Sequence, residues 1–460
     1  MREPEPPSEQ PEQGEQRGAR RMVQTFFSLA GAELLTRAML LVAAIIIARA
    51  LAPNVFGQFT FAVALASIVG IVIDLGLTSL VTRDVSANAD RASHLLGAFL
   101  KTQSLLAAGT FVFTSGLALA GAFGDAASET ALVLAFATIS VSSLSRPFEA
   151  TLTGRGRAPF VFVSRSARGI TLIAITILAS LGHATPERFI AAMLISEAVG
   201  VAVVAFVCFT RSTRPRFAGG SSAVRRMLKL AVPFALLAGF NVLYLRIDIL
   251  MLGWLDSDTA VGNYGIASRI MDTGIIIPAY FGGAFLATVA QTGARSALAR
   301  MQTLSAARHV LILCLPVAFG LALGADQIVR LTAGSKYSSA GDILILLTPM
   351  IIWIGTYSVF ANLQVALDQV PLLVKISVAG LLLKVALNAY AIPAHGSKGA
   401  AVTASIAEGA VVAIQLYFAR AWYDSGPFFG FVARAAVCAA AMIAVGLTAA
   451  TVVPWTLAFV

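Results

Sequence analysis

Charge is scarce in this chain of 460 residues: Asp, Glu, Lys and Arg make up 12% of it, about half the share found in an ordinary soluble protein. A soluble globular enzyme, which needs a charged surface, is excluded, and so are the disordered and fibrous classes. Cysteine is scarcer still. Cys208, Cys314 and Cys438 each sit inside an apolar run, where a free thiol behaves as a small buried hydrophobe, so no disulfide framework is expected. The histidines, His94, His183, His309 and His395, are far apart and lack ligand spacing, so neither a metal site nor a cofactor is expected. The sequence has no GxxxxGK[ST], since Thr153-Gly154-Arg155-Gly156-Arg157 lacks both the spacing and the lysine; the chain is not itself an ATPase. It also lacks G-x-S-x-G, a spaced His/Asp/Ser set, and any loop long enough for a soluble catalytic domain.

What is abundant is hydrophobicity, at 58% of residues, with a mean hydropathy of +0.83. Residues 1–22 are rich in Pro, Glu and Gln and read as a disordered tail. After them, apolar runs long enough to cross a hydrocarbon core of about 30 Å fall at 24–50, 58–82, 97–121, 129–151, 160–181, 187–209, 229–254, 261–288, 304–324, 341–365, 370–392, 397–420 and 430–454. The chain is therefore expected to be an all-α polytopic membrane protein with 12–14 transmembrane helices, 13 of them candidates by this reading. The first apolar run lacks a clear cleavage site and is expected to stay attached as an anchor.

The net charge of +10 fits basic cytoplasmic loops better than nucleic acid, which would need a soluble basic face. With the N-terminus inside, the internal loops carry 17 Lys or Arg and the external loops 4 (Arg188, Arg330, Lys336 and Lys398). That is the positive-inside pattern, and it places the protein in the cell (inner or plasma) membrane with a cytoplasmic N-terminus.

A basic linker at 211–228 divides the chain into a lobe at 23–210 and a second at 229–420, followed by an extra membrane segment at 421–460. The lobes echo one another. Leu51 precedes Gly57-Gln58-Phe59 and Ala62 as Leu255 precedes Gly262-Asn263-Tyr264 and Ala267. Likewise Leu152-Thr153-Gly154 leads to Pro159, and Leu367-Asp368 leads to Pro371. Two six-helix lobes related by an axis along the membrane normal are a common transporter architecture.

Ionisable residues inside the apolar runs carry the functional signal: Glu33, Arg37, Asp74, Arg165, Arg168, Glu197, Arg246, Asp248, Arg269, Asp272, Lys384 and Glu408. Each costs about 2.5–3.5 kcal/mol at a helix centre, so they are expected to face the bundle interior or a wet cavity. Glu33 with Arg37 and Arg269 with Asp272 have helical spacing for pairing. Asp74 can cap a helix or pair with Arg83, and Lys384 can partner Glu408. Arg165 and Arg168 have no acid nearby on their own helix and could snorkel. Arg246 and Asp248, two apart, point in different directions. A cavity lined by arginine suits an anion, because guanidinium binds phosphate in a bidentate fashion.

Ile47-Ala48-Arg49-Ala50-Leu51-Ala52-Pro53, Phe56-Gly57, Asp74-Leu75-Gly76-Leu77 and Arg83, with Arg246-Ile247-Asp248-Ile249-Leu250-Met251-Leu252-Gly253 and Val261-Gly262-Asn263-Tyr264, resemble the O-antigen-type lipid-linked oligosaccharide flippases of the multidrug/oligosaccharidyl-lipid/polysaccharide exporter superfamily. The resemblance implies two six-helix bundles around a central cavity open alternately to each membrane face. It also implies transfer of an undecaprenyl-pyrophosphate-linked glycan to the outer leaflet for lipopolysaccharide or exopolysaccharide synthesis, with Na+ or H+ coupling and polymerase and ligase partners. On this reading Arg246 and Arg269, with Arg37, Arg165 and Arg168, hold the pyrophosphate and glycan. Asp248, Asp272, Glu33, Asp74 and Glu408 orient arginines or couple ions. The chain departs from the family's pattern at Phe285-Leu286-Ala287-Thr288, where relatives commonly have a proline, and in the segment after 428. A drug or cation antiporter of the same superfamily remains the alternative, with a membrane glycosyltransferase or ligase behind it.

Overall fold

The computed structural model describes residues 35–217, 239–275, 296–420 and 430. The N-terminal tail, Glu33, most of the linker, the departure at 285–288 and the extra segment at 421–460 (Gly430 excepted) lie outside the described residues. Among those described there is helix and turn but no strand. The helices are α1 (35–50), α2 (Pro53–Asp74), α3 (Leu77–Ala87), α4 (Ala92–Leu119), α5 (Glu129–Ser143), α6 (Arg146–Gly154), α7 (Ala158–Ser180) and α8 (Pro186–Arg211). They continue with α9 (239–255), α10 (Asp258–Gly274), α11 (Ala297–Leu323), α12 (Ala325–Thr332), α13 (Ser339–Leu347), α14 (Pro349–Ala366) and α15 (Val370–Ala419). Eight stretches among them are long and apolar enough to cross a membrane, taking α5 with α6, α13 with α14, and α15 as one each.

Local chemistry sets the boundaries. Proline opens α2, α8 and α14, where its missing N–H costs nothing. The side chains of Ser128, Ser257 and Ser296 accept from the N–H of Ala131, Ala260 and Ala299 and cap α5, α10 and α11, each satisfying one donor that a helix start leaves open. The run expected at 58–82 is divided differently: α2 begins earlier, at Pro53, and ends at Asp74. There Leu75 and Gly76 take left-handed backbone (φ 43° and 70°), which an α-helix cannot contain, and α3 restarts after them. The runs expected at 370–392 and 397–420 are two helices that meet at a kink at Gly396 (φ 56°), and the label α15 covers both.

The packing repeats along the chain. α2 packs on α5, α4 on α5, and α5 on α8; then α10 packs on α13, α11 on α14, and α13 on α15. The turns repeat too. Gly156 and Asp368, both with positive φ, stand two residues before α7 and α15, each of which carries proline in its first turn. The two halves meet along α2 and α10, around buried Phe56, Phe59, Phe61, Tyr264 and Tyr337. Large side chains such as Val112, Phe113, Leu178, Leu181, Phe206, Leu382 and Ile406 are exposed. On helices this apolar, that surface is the one lipid covers.

Candidate functional site

The α2–α10 crossing is a close backbone contact between the lobes. A Cβ on Gly57 would collide with the main-chain oxygen of Asp258 and lie 2.7 Å from its carbonyl carbon; a Cβ on Gly262 would collide with the oxygen of Pro53 and lie 3.0 Å from its carbonyl carbon. Only glycine lets two helix backbones come this close. Gln58 Nε2 donates to Asp258 Oδ2 at 2.9 Å across the same seam. Beside it, Arg49 at the end of α1 donates to the carbonyls of Leu331 and Thr332. Lys336 Nζ donates to the Arg49 carbonyl at 2.8 Å, and Tyr337 OH to the Leu51 carbonyl at 3.2 Å. Arg49 escaped the sequence reading because it sits at the end of an apolar run and its acceptors are main-chain carbonyls far along the chain.

Next to this contact lies a cavity of about 370 Å³, lined by α1, α2, α9 and α10, with Met193 of α8. Four ionisable residues line it: Arg37, Arg246, Arg269 and Asp272. Asp272 lies within electrostatic reach of Arg246, Arg269 and Arg37. Three guanidinium groups and one carboxylate leave an excess of two positive charges among the described lining residues. Arg269 is held by aromatic faces, its Cζ 5.9 Å from the Phe56 ring centroid and 5.8 Å from that of Phe59, a distance at which the ring quadrupole attracts a cation. The wall beside it carries Thr36, Thr60, Ser268 and Thr273.

α9 divides its charges between two surroundings, as the spacing of Arg246 and Asp248 implies. Arg246 faces the cavity with Ile249, one turn on. Asp248, only 3% exposed, turns into the second lobe. There its Oδ2 meets Lys384 Nζ at 2.6 Å and accepts from Tyr264 OH at 2.8 Å, while Asn388 Nδ2 donates to Oδ1 at 2.7 Å. Thr403 Oγ1 donates to Asn388 Oδ1. Lys384 Nζ also donates to the Tyr244 carbonyl at 2.9 Å and lies over the Tyr244 ring, and Tyr244 OH donates to Glu408 Oε2 at 2.6 Å. Lys384 thus sits on Asp248 rather than forming the expected pair with Glu408. The sequence reading missed Tyr244, Tyr264, Asn388 and Thr403; polar side chains on apolar helices were the signal available.

The remaining candidates are placed elsewhere. Arg165 pairs with Glu149 of α6 at 2.9 Å, and Arg168 with Glu197 of α8 at 3.2 Å. These acids come from neighbouring helices, which explains why no partner was visible on α7 itself, and snorkelling is not needed. Neither arginine is among the residues lining the cavity. Asp74 pairs with Arg146 at 3.1 Å and accepts from Thr78, whereas Arg83 turns to its neighbour Asp84. The alternative pairing of Asp74 with Arg83 is therefore not formed, and Arg146, at the start of α6, takes that place.

Residues 46–342 match the family model described as "Polysaccharide biosynthesis protein". The chain belongs to that family. In structure it is similar to the lipid II flippase MurJ in an inward closed conformation, with a TM-score of 0.77 at 15% identity over 91% of this chain and 92% of that one. It is also similar to an inward-facing multidrug resistance MATE family transporter of the MOP superfamily (TM-score 0.68, 15% identity, 84% and 94% covered). A third likeness is to a MOP superfamily transporter from Pyrococcus furiosus described by the reverse polarity of its binding pocket (TM-score 0.55, 13% identity, 86% and 94% covered). No curated protein matches the chain in sequence. At these identities the likeness is one of fold, a fold shared with a lipid flippase and with multidrug transporters.

Proposed function

We propose that this protein flips a lipid-linked oligosaccharide, carried on a polyprenyl pyrophosphate such as undecaprenyl pyrophosphate, across the cell membrane by alternating access, for assembly of a surface polysaccharide. The family ties the chain to polysaccharide biosynthesis, but the fold is shared with multidrug transporters and does not choose the substrate. The charge of the cavity supports the flippase reading. Among the described lining residues, Arg37, Arg246 and Arg269 outnumber the one carboxylate, Asp272, which favours an anion over a cationic drug. A pyrophosphate cannot enter hydrocarbon bare, and fixed guanidinium groups replace its hydration with bidentate hydrogen bonds. Hydroxyl-bearing side chains beside them suit the sugar, while the prenyl chain stays in the bilayer.

The test is a strain deleted for the gene, in which sugar label is chased into lipid-linked intermediates and the leaflet holding them is determined. Cytoplasmic-leaflet build-up, relieved by the wild-type gene but not by Arg246→Ala or Arg269→Ala, is expected. Normal glycan export with altered sensitivity to cationic dyes would overturn the proposal in favour of the antiporter.

A further inference from the structure

The second lobe holds a cluster of charge that the cavity does not use, and its arithmetic is uneven. Among the described residues, Asp248 and Glu408 are two carboxyl groups and Lys384 is the one cation set among them. All three are buried, Asp248 at 3%, Lys384 at 1% and Glu408 at 5% exposure. The titratable groups facing Glu408 are Tyr244 and Asp248 from α9, Tyr357 from α14, and Lys384 on its own element. None of them adds a second positive charge.

Lys384 settles one half of the balance. Its ammonium contacts the Asp248 carboxylate and the Tyr244 carbonyl, and Asn388 and Tyr264 fill the other positions on that carboxylate. The place where a metal cation would sit against Asp248 is therefore occupied by the chain's own cation. Glu408 is left with a hydroxyl, Tyr244 OH, which gives a hydrogen bond but no charge. A second buried carboxylate in hydrocarbon without a counter-charge is strongly disfavoured, and a proton is the one cation that neutralises it without needing space.

We infer that the second lobe is a proton-binding site centred on Glu408, with Lys384 excluding Na+ from Asp248, so that the ion coupled to this transporter is H+. The proton resides on the Glu408 carboxyl, within a hydrogen bond shared with Tyr244. Because Tyr244, which bonds Glu408, and Asp248 stand on α9, whose Arg246 faces the cavity, gain or loss of that proton changes the charge set against the helix that carries a substrate ligand. Gln415, two turns from Glu408 towards the end of α15 that the basic loops put in the cytoplasm, is buried against Gln364 and continues the polar surface in that direction.

The inference deepens the flippase reading but is tested apart from it, on purified full-length protein without substrate. Infrared difference spectra are recorded between acidic and alkaline buffers, with Na+ and then with choline at the same ionic strength. A protonated-carboxyl band is expected that fades as pH rises, is the same in both salts, and is absent from Glu408→Gln. Glu408→Asp, which retains a carboxyl if the lobe folds, should restore a shifted band. No such band in the wild type, a band that Glu408→Gln retains, or a band erased by Na+ but not by choline would each overturn the inference. Loss of flipping with the band intact would count against the flippase alone.

Discussion

Replacing Gly57 by alanine should force α2 and α10 apart while leaving each lobe intact. The methyl group would collide with the main-chain oxygen of Asp258 and lie 2.7 Å from its carbonyl carbon. Main chain cannot rotate aside as a side chain can, so α2 and α10 must separate. Forcing a methyl into a packed contact costs about 1–3 kcal/mol. The contact joins the two lobes, so the penalty falls on arrangements in which α2 and α10 touch, and any equilibrium with a separated arrangement shifts towards separation by roughly 5- to 150-fold. The assay places a single cysteine at Thr60, on the cavity wall, in a chain whose Cys208, Cys314 and Cys438 are replaced by alanine. Whole cells are then labelled with a membrane-impermeant maleimide. The labelling rate should rise by a factor in that range, and Gly262→Ala, which meets Pro53 in the same way, should act alike. Gly116→Ala is the control, since nothing lies within 4 Å of the added carbon. Unchanged labelling in both crossing variants, with both proteins folded, would refute the idea that this seam limits access to the cavity.

Two further outcomes follow from the ion pairs. Lys384→Met strands a buried carboxylate and should lower stability by about 3–5 kcal/mol, read as melting in detergent; adding Asp248→Asn should recover most of the loss, and an equally unstable double variant would show that the pair is not coupled. Arg165→Ala and Arg168→Ala should each cost on the order of 1 kcal/mol of stability and leave surface glycan in place, because they hold α6 and α8 to α7; loss of glycan with unchanged melting would return them to the transport path.

What the sequence made legible was whatever depends on composition and spacing along one helix. The apolar runs gave the spans, and the opposed directions of Arg246 and Asp248 follow from a helix turning 100° per residue. Partner identity was hidden, because Glu149, Glu197 and Lys384 reach their partners from other helices, and no local pattern encodes those distances. The boundaries of α2 were misjudged because hydropathy is blind to backbone: Leu75 and Gly76 read as an apolar continuation yet end the helix. The repeat shows the opposite behaviour. Gly57 and Gly262 were matched as two copies of a motif, each weak evidence for a duplicated lobe. In the structure each glycine receives the residue four positions before the other, Pro53 against Gly262 and Asp258 against Gly57. A two-fold axis requires this reciprocity of the residues on it, since whatever one copy offers the other must accept. The motif is therefore placed where the lobes touch, and a substitution at either glycine is felt by both lobes at once. The signal that suggested duplication is, in physical terms, the contact between the halves.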